Sequence, residues 1–102
     1  MATPQMTTVY MFSSPTCAPC KNVKPYVAEL QEEYTEFEWK HLDTSDERGA
    51  TLLLRQKYSV DSIPCMVIVR GEEVFGKHQG SNVAGYLMLL KRARGQTRLP
   101  FL

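Results

Sequence analysis

The sequence predicts an α/β fold: a four-stranded mixed sheet flanked by three helices. Three observations carry that expectation. A β-branched and aromatic run, TTVYMF at residues 7–12, lies ahead of an amphipathic helical stretch; an alternating strand follows; and CMVIVRGEEVFGKH, residues 65–78, carries the punctuation of a β-hairpin. Strand, helix and strand in succession require a parallel pair with a right-handed crossover, and the hairpin adds an antiparallel edge.

Each element has its own signal. Residues 7–12 read as a buried strand and end at Ser13, Ser14 and Pro15, which read as a turn. From Cys17 onward, Val23, Tyr26, Val27, Leu30 and Tyr34 recur at helical spacing on one face, with Lys21, Lys24, Glu29 and Glu32 largely outside it. Pro25 sits inside this helix, where it removes one backbone donor and is expected to produce a kink. EFEWKHLD, residues 36–43, alternates through Phe37, Trp39 and Leu42 like a strand with one covered face. Thr44 and Glu47 read as a capping box for a second helix over residues 47–58, in which Leu54 and Tyr58 lie one turn apart and Gly49 weakens the start. Gly71 marks the hairpin turn. Ser81 or Asn82 can cap a last helix whose Val83, Tyr86, Leu87 and Leu90 share one side.

A chain of 102 residues has the length of one domain, and residues 1–102 are read as such, with a short basic tail at 94–102. The formal net charge of +1 argues against a general attraction to nucleic acid or to acidic membranes. No apolar run approaches the roughly 20 residues of a membrane span, and MATPQMTTVY lacks the basic and apolar regions of a signal peptide. A cytoplasmic monomer is expected.

The chemistry concentrates in SSPTCAPCKNVKP, residues 13–25. The chain has three cysteines, an odd number, and a secreted disulfide scaffold of this length would carry more. Cys17 and Cys20, three residues apart at a helix start, are close enough to form and break a disulfide without refolding the chain. There the helix amides favour a Cys17 thiolate, and because Pro19 has no N–H, the Cys20 amide is the expected donor to the Cys17 sulfur. The spacing also suits a zinc site completed by Cys65, His41 or His78, or an iron–sulfur cluster shared between chains. No second closely spaced cysteine pair supports either, so no metal or cofactor is expected. His41 and His78 read as ordinary strand residues. Cys65 reads as a small core side chain, with a third modifiable thiol as the alternative.

CAPCKNVKP followed by SIPCMVIVRGEEV resembles the thioredoxin family, and the likeness runs from Thr8 to about Ala93. Cys17, Pro19, Cys20, Lys21 and Pro25 match the family's cysteine-containing helix start at the same spacing. Ile63 and Pro64 match its Ile-Pro step, whose proline is cis and faces the cysteines, and Gly71 matches the hairpin turn that follows. The resemblance implies a thioredoxin-like fold lacking the amino-terminal strand and helix of full-length thioredoxins, a shortened layout similar to that of glutaredoxins. It also implies a thiol–disulfide oxidoreductase cycling Cys17 and Cys20 between dithiol and disulfide. Thr16, Ala18, Pro19, Ile63 and Pro64 would then contact protein disulfide substrates, with thioredoxin reductase or glutathione as external reductant. Three positions depart from the pattern: Thr16 replaces a tryptophan, Ala18 replaces a glycine, and Met11 replaces a buried aspartate beneath the cysteine pair. QGSN, residues 79–82, resembles the glycine-rich helix start with which glutaredoxins hold glutathione, so a glutathione-dependent oxidoreductase is one alternative. A non-catalytic interaction module on the same fold is another.

Overall fold

The computed structural model describes residues 6–46 and 48–96. The elements are β1 (Thr7–Ser13), α1 (Ala18–Glu33), β2 (Glu38–Asp43), α2 (Gly49–Lys57), β3 (Cys65–Arg70), β4 (Glu73–Gln79) and α3 (Val83–Gln96). They form the expected α/β fold with one four-stranded sheet in the order β2-β1-β3-β4. β1 and β2 run parallel, and β3 is antiparallel to both β1 and β4. Gly71, at φ 63°, takes the left-handed conformation that turns β3 into β4.

Side-chain alternation along the strands divides the core into two layers. Val9 and Met11 of β1 and Met66 and Ile68 of β3 face one side, where Val23, Val27 and Leu30 of α1 and Tyr86, Leu89 and Leu90 of α3 cover them. Phe12, Cys65, Val67 and Val69 face the other, with Leu54, Tyr58 and Ile63 packed against them. The central position of β3 explains why Cys65 through Val69 are buried on both faces, so the run reads as continuously apolar rather than alternating.

Several expectations need correction. Tyr26, assigned to the apolar face of α1, is 51% exposed. At about 100° per residue it lies roughly 60° from the Val23–Val27–Leu30 stripe, far enough for its polar tip to stay in water. Tyr34 is buried as expected but forms the C-cap of α1, and Phe37, also buried, precedes β2. Glu47 of the expected capping box lies outside the described residues. Thr44 is engaged elsewhere: its N–H and hydroxyl both donate to the Ser13 carbonyl, at 2.8 and 3.3 Å, while Arg48 occupies the N-cap of α2. The Thr44 bonds tie the ends of β1 and β2 together beside the cysteines. For α3, Asn82 is the residue that caps, its Oδ1 accepting the Ala84 N–H at 3.0 Å.

Arg94, placed in a basic tail by composition, lies within α3. Its guanidinium bonds the Glu36 carboxylate, donates to the Glu33 carbonyl at the end of α1 (3.1 Å) and stacks 3.9 Å above the Tyr34 ring. The arginine holds the Glu36 carboxyl below its ordinary range, chiefly through their hydrogen bond. The same corner is closed by Trp39, whose indole N–H donates to the Tyr34 carbonyl at 3.0 Å. Residues 97–102 of the tail lie outside the described residues.

Candidate functional site

β1 leads straight into the site. Beyond Ser13, the Thr16 N–H donates to Ser14 Oγ at 3.2 Å, and the Cys17 N–H donates to the Ser14 carbonyl at 3.2 Å, a tight turn that delivers Cys17 to the N-cap of α1. Pro19 falls in the first helical turn, where a missing N–H carries no penalty. Pro25 lies inside α1, which continues through it.

Cys17 and Cys20 are joined in a disulfide, with Cα atoms 5.2 Å apart. The Cys20 N–H points at Cys17 Sγ from 3.2 Å, the donor expected from the sequence. The two sulfur-bearing residues differ in access: Cys17 is partly exposed, whereas Cys20, within the first turn of α1, is 5% exposed. Thr16, Ala18 and Pro19 are exposed around Cys17.

The second wall is the segment before β3. The Ile63–Pro64 peptide bond is cis, Pro64 is buried, and the Ile63 carbonyl oxygen lies 3.9 Å from Cys17 Sγ. Residues 46 positions apart in sequence therefore meet at one sulfur. The segment is pinned from β4 and α3 by contacts that no local pattern signals. Gln79 Oε1 accepts the N–H groups of Asp61 and Ser62 at 3.0 and 3.1 Å, and Lys77 Nζ donates to the carbonyls of Tyr58 and Ser59. The Pro64 carbonyl accepts the Gly80 N–H at 2.9 Å, and the Tyr86 hydroxyl lies against the carbonyls of both Pro64 and Gly80. Burial raises the Tyr86 phenol pKa far above its ordinary value, so the hydroxyl remains a donor throughout the working pH range.

The remaining candidates have other roles. His41 Nε2 meets Gln31 Oε1 at 2.8 Å, and His78 Nε2 meets the Asn82 carbonyl at 3.0 Å. Within QGSN, Gln79 serves the 61–62 backbone and Asn82 caps its own helix. Met11, 3% exposed, is part of the core. Among the described residues, no group of three or more His, Cys, Asp or Glu is placed to hold a metal ion. Nor is any helix there long and apolar enough to cross a membrane.

Cys65 is fully buried at the start of β3, and desolvation pushes its thiol up to about 11. A group with a raised pKa stays protonated until the pH approaches that value, and only the thiolate is a competent nucleophile. Reduced native protein at pH 8 is therefore expected to alkylate with iodoacetamide first at the partly exposed Cys17, far more slowly at the buried Cys20, and at Cys65 only after denaturation. Peptide mass mapping checks this, and rapid native labelling of Cys65 would contradict the packing described.

Comparison with known proteins agrees with this geometry. The thioredoxin family model matches residues 1–90. A chloroplastic M-type thioredoxin from Brassica napus is 39% identical over 64 residues, covering 61% of this chain but only 34% of that protein, about a third of its length. Among solved structures, Fasciola hepatica thioredoxin superposes with a TM-score of 0.76 at 25% identity, covering 87% of this chain and 82% of the other. The short form of spinach chloroplast thioredoxin f gives 0.76 at 23% identity, covering 89% and 79%. With nine-tenths of its length matched by the family model and the cysteine pair facing a cis-proline turn, the chain belongs to the thioredoxin family.

Proposed function

We propose that this protein is a thiol–disulfide oxidoreductase that reduces protein disulfides, with Cys17 as nucleophile and Cys20 as resolving thiol. The observation that carries this reading is the asymmetry of one bonded pair. Cys17 is open to solvent at a helix N-cap beside the Ile63 carbonyl, while Cys20 is covered but already within bonding reach of it.

In the reduced protein, the amides at the start of α1 favour a Cys17 thiolate. That thiolate attacks one sulfur of a substrate disulfide, the substrate's S–S bond breaks, and a mixed disulfide forms. Cys20, as thiolate, then attacks Cys17 Sγ; the Cys17–Cys20 bond forms and the second substrate sulfur leaves with the electron pair. An external dithiol or thiol reopens the internal bond. Holding Cys20 beside the mixed disulfide makes release intramolecular, and this is a larger advantage than activating Cys17, since lowering a thiol's pKa also lowers its intrinsic nucleophilicity.

Substrate contact is assigned to the exposed rim of Thr16, Ala18 and Pro19 and to Ile63 and Pro64, whose backbone can pair with an extended segment around the target disulfide. Main-chain pairing reads little sequence and suits a reductase with many protein targets. Such a role fits a cytoplasmic protein, where an external reductant keeps the pair as a dithiol.

The test is reduction of insulin disulfides by catalytic amounts of protein with dithiothreitol as electron source, followed by turbidity. Turnover well above the dithiothreitol background is expected, and none would overturn the reading. Comparing NADPH plus thioredoxin reductase with glutathione as reductant of the oxidised protein then identifies the partner. Faster reduction by the reductase is expected; preference for glutathione would assign the glutaredoxin-like alternative.

A further inference from the structure

Cys20 can resolve a mixed disulfide only as a thiolate, yet its side chain is 5% exposed, so its proton must leave through the opening that reaches it. That opening is a groove of about 690 Å³ between α1 and the β1–β2 edge, lined by Cys20 and, among others, Met11, Lys24, Gln31, His41 and Asp43. Strand register explains the company. Met11 pairs with His41 and Ser13 with Asp43, and alternation turns all four toward α1. Met11 carries no proton acceptor and Lys21 and Lys24 are already protonated at neutral pH, so the titratable acceptors lining the groove belong to β2.

Two groups in the groove can accept a proton at neutral pH, and their partners distinguish them. Asp43 Oδ1 is occupied by the Ser45 N–H and hydroxyl at 2.9 and 2.6 Å, and these bonds hold its carboxyl below the ordinary range, which makes it a poor base. His41 presents Nε2 to the Gln31 carbonyl oxygen at 2.8 Å. A carbonyl oxygen only accepts, so this contact places the proton on Nε2 and leaves the Nδ1 lone pair free. Partial desolvation, and second the charge of Lys24, lowers the His41 pKa below its ordinary value of 6.5, so the ring is neutral at pH 7. The charged groups facing it are Lys24 and, further along α1, Lys21, with Asp43 from β2; β1 contributes uncharged Met11 and Ser13.

We propose that His41 is the proton acceptor for Cys20, reached through the groove between α1 and β2, with Gln31 fixing the tautomer that accepts. The inference rests on the thiol–disulfide reading above. The Cys20 proton passes through solvent in the groove to His41 Nδ1, the thiolate attacks Cys17 Sγ, the bond from Cys17 to substrate breaks, and the departing thiolate regains a proton from the imidazolium or from solvent. His41 touches neither sulfur and changes no electron count; it governs how fast the resolving thiolate appears.

The experiment is a single turnover of fully reduced protein, in excess over dithiobis(nitrobenzoic acid), in which the first nitrothiolate released reports attack by Cys17 and the second reports resolution by Cys20. In the parent protein the second phase should be flat with pH from about 8 down into the range where His41 protonates, then fall. In His41→Gln the first phase should be unchanged, while the second slows about tenfold or more at pH 7 and rises with pH throughout, as hydroxide takes over. Added imidazole should restore the second phase of His41→Ala. The same flat second phase in His41→Gln as in the parent, or no response to imidazole, would overturn the proposal. A parent protein that shows no first phase would instead overturn the thiol–disulfide reading itself.

Discussion

Cys17→Ser is expected to reduce insulin at no more than the rate dithiothreitol gives alone, a loss of at least about 10³-fold in the catalysed rate. A serine hydroxyl cannot form the mixed disulfide, and neither other cysteine can take its place. Cys20, in the first turn of α1, is buried, and Cys65 is buried and protonated. The substitution should leave the fold intact, because the Cys17 N–H to Ser14 contact is backbone and serine is itself a good N-cap. An unchanged circular dichroism melt in the reduced state beside absent turnover would separate chemistry from folding. Full turnover by this variant would remove Cys17 from its assigned role.

The largest stability effect should come from α3, at Tyr86. Its ring is completely buried, meets His78 edge-on with centroids 4.7 Å apart, and carries the hydroxyl that lies against the Pro64 and Gly80 carbonyls. Tyr86→Ala removes a ring from the core and leaves a cavity, with an expected loss of about 3–5 kcal/mol. Tyr86→Phe keeps the ring and loses only the hydrogen bond, about 1–2 kcal/mol. Urea titration of both variants checks the order. The phenylalanine variant should also raise KM for insulin more than it lowers kcat, because it loosens the turn that presents Ile63. Gly85 bears on the same cluster: a Cβ there would collide with the His78 imidazole, so the ring would have to swing away from Tyr86.

Most of the architecture is legible in local pattern. The period of 3.6 through Val23, Val27 and Leu30, the apolar run from Cys65 to Val69 and the glycine at position 71 are each decided by the backbone geometry they serve. The misreadings arise where tertiary partners override a local signal. Thr44 and Glu47 have capping-box spacing, but the Ser13 carbonyl at the end of the neighbouring strand takes both Thr44 donors. Arg94 looks like part of a solvated tail until Glu36 and Tyr34, some 60 positions earlier, give it partners.

The site divides in the same way. Cys17, Cys20 and the Cys20 amide donor follow from helix-start geometry and are readable from SSPTCAPCKNVKP alone. The cis state of Pro64 is not, since an X-Pro bond is cis in only about 5–6% of folded cases; the family resemblance alone implied it. Gln79, Lys77 and Tyr86, which pin that turn, bond to backbone atoms that have no sequence signature at all. His41 reads from the sequence as an ordinary strand residue because its significance depends on strand register, which sets it beside Met11 in the groove that reaches Cys20.

The most direct measurement is the identity of the sulfur that first joins substrate. Reduced Cys20→Ser protein, mixed with an oxidised protein substrate and quenched in acid, should hold a stable one-to-one adduct whose tryptic map links substrate cysteine to the peptide bearing Cys17. An adduct at Cys65, or a variant that turns over without one, would contradict the account.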